Sequence, residues 1–252
     1  MDRLDHEDTG AGPPVVLLHG LTCHLGYWQR VTPHLGGLRV VAFDFRGHGL
    51  SAHSDSYRYA DYEDDLVTLL DAVGLESAPV AGHSLGGYVA LLAASRSDRV
   101  SAVLAVDVKS DWTEQDAALA EGARDAAQRV QADRDGLLAR LARTLDPVVL
   151  DEEELEALAK RSLEPADGGW RYRWDRRVLA PEPVEPFAFL PRVRCPVHVL
   201  AGSRSEVMTP DRAHRFAEAI PGATVEVVDG VGHHVELEAP ELVAERIRSL
   251  AG

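Results

Sequence analysis

The sequence predicts an α/β fold, with a mostly parallel sheet covered by helices on both faces. Three observations predict it. Short apolar runs recur along the 252-residue chain, most of them are continuously apolar, and helical patterns separate them. Continuous apolar runs suit strands buried on both faces, as parallel sheets require. Strands alternating with helices imply crossover units. The chain is long enough for one large domain that buries its core without disulfides.

Taken in order, strands are expected at Val15–His19, Arg39–Phe43, Ala78–Gly82, Ala102–Val106, Val197–Ala201 and Thr224–Val228. Helices are expected at Tyr59–Val73, Leu85–Arg96, Pro210–Ala219 and Pro240–Leu250. The alternation breaks once, between Asp111 and about Pro186. Helical composition fills that stretch at Glu114–Gln131, Arg134–Leu145 and Asp151–Leu163. Asp151 and Glu154 have the spacing of an N-cap and its capping-box partner. Trp170-Arg171-Tyr172-Arg173-Trp174 alternates as a short strand or pocket edge would, and Pro181, Pro183 and Pro186 punctuate the return to the sheet. The expected division is a core of residues 1–110 and 187–252 with a helical lid at 111–186.

Composition excludes several partners. The net charge of -15 argues against nucleic acid and anionic lipid, which would be repelled. No apolar run reaches membrane-spanning length. The acidic start MDRLDHEDTGAG lacks the apolar core of a signal peptide. Two cysteines, Cys23 and Cys195, make no disulfide framework, and a reducing cytoplasm is the expected compartment. No zinc-type Cys/His spacing, P-loop or GxGxxG pattern is present, so neither a metal nor a cofactor is expected.

The strongest chemical signal is Gly82-His83-Ser84-Leu85-Gly86-Gly87. It follows the apolar strand Ala78–Gly82 and opens a helix, the context of a nucleophile elbow. Glycine two residues either side of Ser84 removes side chains that would clash in so sharp a turn. The serine hydroxyl is left exposed above the strand ends, at the positive end of the following helix dipole.

Three further segments resemble the α/β-hydrolase family. Leu17-Leu18-His19-Gly20-Leu21 resembles the strand whose His-Gly end precedes an oxyanion-hole donor. That resemblance assigns the donors to the backbone N–H groups of Leu21 and of Leu85. Asp44-Phe45-Arg46-Gly47-His48-Gly49-Leu50-Ser51 is similar to a structural turn of the family, with Arg46 expected to tie down neighbouring backbone. Gly232-His233, followed in phase by Glu238 and Pro240, resembles the segment that carries the catalytic histidine. It implies His233 as the base and His234 as its rival. Family members also usually begin with a two-stranded hairpin. Only about a dozen residues precede Pro13, so the N-terminal strand is expected to be missing and the exposed edge to need charge or a partner.

The acid is ambiguous. The usual family position, in Gly-x-x-Asp, reads Gly202-Ser203-Arg204-Ser205, and Ser205 cannot ionise. Glu206 lies one residue later. Asp107 ends the strand after the nucleophile strand, where other members keep their acid, and it gives the order Ser84, Asp107, His233. Asp107 is favoured over Glu206.

The expected activity is a carboxylesterase-like serine hydrolase, cleaving an ester or a related lactone or thioester through an acyl-enzyme on Ser84. A carbon–carbon bond hydrolase, a cofactor-free perhydrolase and a hydrolase-fold ligand receptor remain alternatives. The expected partner is a small molecule with an apolar or aromatic part, and the chain is expected as monomer or homodimer. His24, Trp28 and Trp112 are candidate pocket residues, with Tyr27, Trp170, Tyr172 and Trp174 as further aromatic candidates. Packing is an equal alternative for each. Arg171 and Arg173 could read an acidic substrate group, though a solvated face explains them better.

Overall fold

The computed structural model describes residues 4–111, 118, 120–123, 129–145, 147–180 and 185–252. Trp112 and most of the expected Glu114–Gln131 helix lie outside the described residues. The described residues form nine strands: β1 (His6–Gly10), β2 (Pro14–Leu18), β3 (Arg39–Phe43), β4 (Ala78–His83), β5 (Val100–Val106), β6 (Leu163–Ala166), β7 (Gly169–Tyr172), β8 (Val197–Gly202) and β9 (Thr224–Val228). The longer helices are α1 (Tyr59–Ala72), α2 (Leu85–Ala94), α3 (Arg134–Thr144), α4 (Glu152–Ser162), α5 (Pro210–Glu218) and α6 (Pro240–Ala251).

Seven strands form one sheet in the order β1-β3-β2-β4-β5-β8-β9. Every neighbouring pair is parallel except β1 with β3. Side chains alternate between two cores. Val16 and Leu18 of β2 join Leu66 of α1, Val89 of α2 and Phe216 of α5 on one face. Val15 and Leu17 join Trp28, Val243 and Ile247 on the other, where α6 packs. The continuously apolar runs therefore feed two buried faces.

Of the usual two-stranded N-terminal hairpin, the described residues hold one strand: β1 pairs antiparallel with β3, from His6 opposite Phe43 to Gly10 opposite Arg39. All five of its residues are exposed, so it contributes backbone hydrogen bonds and no apolar burial. The sequence HEDTG carries no periodic signal for that reason. Its charges also blunt the open edge, and Asp8 takes a two-pronged ion pair from Arg39 at 2.6 and 3.0 Å.

Between β5 and β8 the chain leaves the sheet. α3, α4 and the antiparallel pair β6–β7 pack around a third apolar cluster with Cys23, Tyr27 and Leu237 of the sheet body. Asp151 accepts from the Glu154 N–H at 2.8 Å while Glu154 accepts from the Asp151 N–H at 3.0 Å, the reciprocal capping box expected from the spacing. Polar ties fix the segment to the sheet. Arg30 grips both Glu154 oxygens at 2.6 Å, and Arg161 pairs with Asp5 and, at 3.0 Å, with Asp44.

Candidate active site

Three strands end side by side. Within the sheet His83 lies opposite Val106, and Val106 opposite Leu200. Ser84 and Asp107 are the next residues along β4 and β5, so the register alone brings them to one edge. Ser84 has φ of 50°, a left-handed conformation that side chains rarely adopt. Such strain costs about 1–3 kcal/mol and persists where the surroundings enforce it. Here the Ser84 N–H donates to the Val106 carbonyl at 2.8 Å, and α2 starts at once. A Cβ on Gly82 would sit 2.3 Å from the Gly86 and Gly87 backbone, and one on Gly86 would sit 2.5 Å from the Leu18 carbonyl oxygen. The glycines are required by close approach.

Asp107 is fully buried, and its φ of 47° turns the chain sharply off β5. Three donors reach its carboxylate. His233 Nδ1 lies 2.7 Å from Oδ1, the Ser205 hydroxyl donates to the same oxygen at 2.6 Å, and the Gly202 N–H donates to Oδ2 at 2.9 Å. Glu206, the other candidate acid, is exposed. Its carbonyl, not its carboxylate, meets Arg212 at 2.9 Å. Ser205, at the position the family resemblance gives to the acid, thus holds the Asp107 carboxylate. Ser205 Oγ in turn accepts from the N–H groups of Val207 and Met208 at 3.2 and 3.1 Å.

The His233 loop is braced from two sides. Glu238 accepts from the Gly232 N–H at 2.8 Å. His83 Nε2 lies 3.1 Å from the His233 carbonyl, and burial holds the His83 ring far below its ordinary pKa, so it stays neutral and donates through Nε2. His234 turns away and contacts Glu236 at 3.0 Å. His83, His234 and Glu236 are also the one group among the described residues with the composition and spacing of a metal cluster, their atoms lying within 4.8 Å of one another. Their mutual contacts brace the histidine loop.

The turn after β2 is fixed by His19. Nδ1–H donates to the Gly20 carbonyl at 2.7 Å, and Nε2 accepts from the Phe45 N–H at 3.0 Å. Burial lowers its pKa to about 4, which keeps the acceptor nitrogen unprotonated. Among the described residues no acceptor takes the N–H of Leu21 or of Leu85. Leu21, Ser84 and Leu85 line one small cleft with Tyr59, Tyr88 and Lys109. Two backbone N–H groups without an acceptor among the described residues therefore lie beside the strained serine.

A family model for the alpha/beta hydrolase fold matches residues 13–240. The chain belongs to the α/β-hydrolase family. It is similar to lipase LipV of Mycobacterium tuberculosis, at 31% identity covering 96% of this chain and 95% of the relative. It is similar also to 2-(acetamidomethylene)succinate hydrolase of Mesorhizobium japonicum, at 27% identity covering 97% and 90%. Among solved structures, the thioesterase domain from the curacin biosynthetic pathway superposes with a TM-score of 0.84 at 23% identity, over 98% of this chain and 95% of that one. That last likeness is one of fold.

Within this α/β-hydrolase several expectations about the surroundings change. His24 and Trp28 do not wall a pocket. His24 is buried, donates from Nε2 toward the Leu158 carbonyl and Ser162 at 3.1 and 3.0 Å, and accepts from the Gly26 N–H at 3.1 Å. It ties a short 3₁₀ turn to α4. Trp28 is fully buried in the α6-side core. Arg46 does not chiefly hold backbone either: its guanidinium grips Asp65 of α1 at 2.6 Å. Asp44 holds the backbone, accepting from Leu25 and Leu50 N–H groups at 2.7 and 2.8 Å. Trp170, Tyr27 and Tyr172 pack in the third cluster, and Tyr27, Tyr172 and Trp174 also line a cavity beneath α3. The sequence reading missed the supporting roles of Ser205 and His83. The serine at the vacated acid position was the available signal for the first. The second has none, because its partner lies 150 residues away.

Among the described residues no helix is long and apolar enough to cross a membrane.

Proposed function

We propose that this chain is a serine hydrolase that cleaves a carboxylic ester, or a related lactone or thioester, through an acyl-enzyme on Ser84. One observation carries the reading. A fully buried carboxylate, Asp107, lies 2.7 Å from His233 Nδ1, at the strand end next to the strained Ser84. With Nδ1–H committed to Asp107, His233 Nε2 is left with its lone pair and takes the Ser84 proton. Ser84 attacks the substrate carbonyl, and the N–H groups of Leu21 and Leu85 receive the oxyanion. His233 then returns the proton to the leaving group, and water cleaves the acyl-enzyme by the same route. The ester chemistry agrees with the name of the lipase relative.

In this reading residues 111–186 are the lid of a core formed by 1–110 and 187–252, and the substrate is a small molecule held between them. The test is an organophosphonate probe together with burst kinetics on 4-nitrophenyl acetate. Stoichiometric labelling that disappears in Ser84→Ala, and a burst followed by steady turnover, are expected. A burst without turnover would favour a ligand receptor, and an unlabelled Ser84 would remove the serine mechanism altogether.

A further inference from the structure

Beside the serine cleft a second, larger cavity opens between α3, α4 and β7. It adjoins the Leu21 turn through Thr22, and Tyr27, whose ring lies 5.8 Å from that of His234, forms part of its wall. Arg129, Arg140 and Arg176 also line it. These arginines differ from most others in the chain. Arg30, Arg39, Arg46, Arg58, Arg134 and Arg161 each hold a carboxylate. Arg171 and Arg173, the pair the sequence offered for an acidic substrate, both hold Glu164, at 2.7 and 3.1 Å. Arg129, Arg140 and Arg176 meet no acidic group within ion-pair distance among the described residues. Arg176 Nε is moreover buried without a hydrogen-bond partner among the described residues.

In a chain of net charge -15, acidic partners are abundant. Arg129 and Arg140 reach solvent and Arg176 is half-buried, so the cavity wall carries three positive charges with no acidic partner among the described residues. A buried donor without an acceptor is costly, and an arginine beside a cavity is shaped to receive a planar carboxylate with two parallel hydrogen bonds. The stacked rings of Tyr172 and Trp174, 5.7 Å apart, supply an apolar wall for the remainder of such a ligand. We propose that the cavity lined by Arg129, Arg140 and Arg176 is an anion subsite, and that the preferred substrates are esters carrying a free carboxylate. This rests on Ser84 as the nucleophile.

Matched ester pairs test it. Monoethyl succinate is compared with ethyl butyrate, which places the carboxylate on the acyl side. The anion 4-acetoxybenzoate is compared with its neutral methyl ester, which places it on the alcohol side. In at least one pair the anionic ester should show a kcat/KM tenfold or more above its neutral counterpart, carried by KM. Arg140→Gln and Arg176→Gln should raise KM for that anionic ester about tenfold, while the neutral ester, reporting an intact catalytic centre, changes less than twofold. Equal kcat/KM within both pairs, or a ratio unmoved by the arginine variants, would overturn the subsite while leaving the serine mechanism standing. If no ester is turned over, calorimetry of monoethyl succinate and 4-acetoxybenzoate with Ser84→Ala gives an independent readout. Binding lost in the arginine double variant supports the subsite, and no binding overturns it.

Discussion

The strand ends of the sheet and the cavity beneath α3 treat buried charge in opposite ways. Asp107 has no exposed surface, yet three donors reach its carboxylate. Arg176 has a buried Nε that nothing reaches among the described residues. The first arrangement is complete before any substrate arrives, so its geometry is independent of what binds. The second leaves a charge open. A catalytic centre benefits from donors fixed in advance, because they need no reorganisation as charge develops. A specificity site gains when the substrate itself supplies the missing partner.

The largest effect should come from breaking the complete arrangement. Asp107→Asn keeps the shape and removes the charge that orients and stabilises the histidine. Turnover of a neutral ester should fall on the order of 10⁴-fold, with Glu206→Gln within about twofold of the parent. Steady-state kcat on 4-nitrophenyl acetate decides it. The reverse ranking would move the acid to the exposed loop and end the contrast drawn here.

Next in size is a tie between the two regions. Arg161 on α4 reaches Asp44, whose side chain is fully buried at the end of β3. Burial raises the Asp44 pKa against the pull of Arg161. Arg161→Met leaves that carboxylate with only its two backbone donors. Removing one partner of a buried pair costs about 3 kcal/mol, read as a lower denaturant midpoint with an unchanged slope.

Smaller again is the effect of Ser205. Ser205→Ala removes one donor from Asp107 and strands the N–H groups of Val207 and Met208. A hydrogen bond to a charged group contributes about 1.5 kcal/mol, so kcat should fall about tenfold with KM unchanged. An unchanged kcat would mean that His233 and Gly202 hold Asp107 unaided.

The same contrast explains what was legible in the sequence. Ser84 and the glycines around it act on one another within five residues, so their spacing is itself the signal. β3 matches the expected strand because its apolar character reflects burial. β1 has no such character, since it binds only through its backbone. The relation of Ser205 to Asp107 spans 98 residues at 2.6 Å and exists only once β5 and β8 lie side by side. The pairing of Arg171 and Arg173 is hidden from the sequence for a related reason. Arg171 and Arg173 stand among aromatics in sequence, but antiparallel pairing sets Arg171 opposite Glu164, and a cross-strand pair of opposite charge is satisfied locally. Arg129, Arg140 and Arg176 come together only through the fold of the inserted segment.

The smallest expected effect separates the two regions most cleanly. Asp151 caps α4 by accepting from the Glu154 N–H at 2.8 Å. Replacing such a cap by alanine costs about 1 kcal/mol, and the loss falls on the first turn of the helix. That turn also presents Glu154 to Arg30, so loosening it weakens a tie on the sheet side as well. The far end of α4 supplies Ser162, which lines the cavity and contacts His24. No donor to Asp107 comes from this helix. Asp151→Ala should therefore leave phosphonate labelling of Ser84 at its parent rate while raising hydrogen exchange along residues 152–162. A slowed labelling rate would show that the strand-end centre depends on the inserted segment, and the two regions would then have to be treated as one.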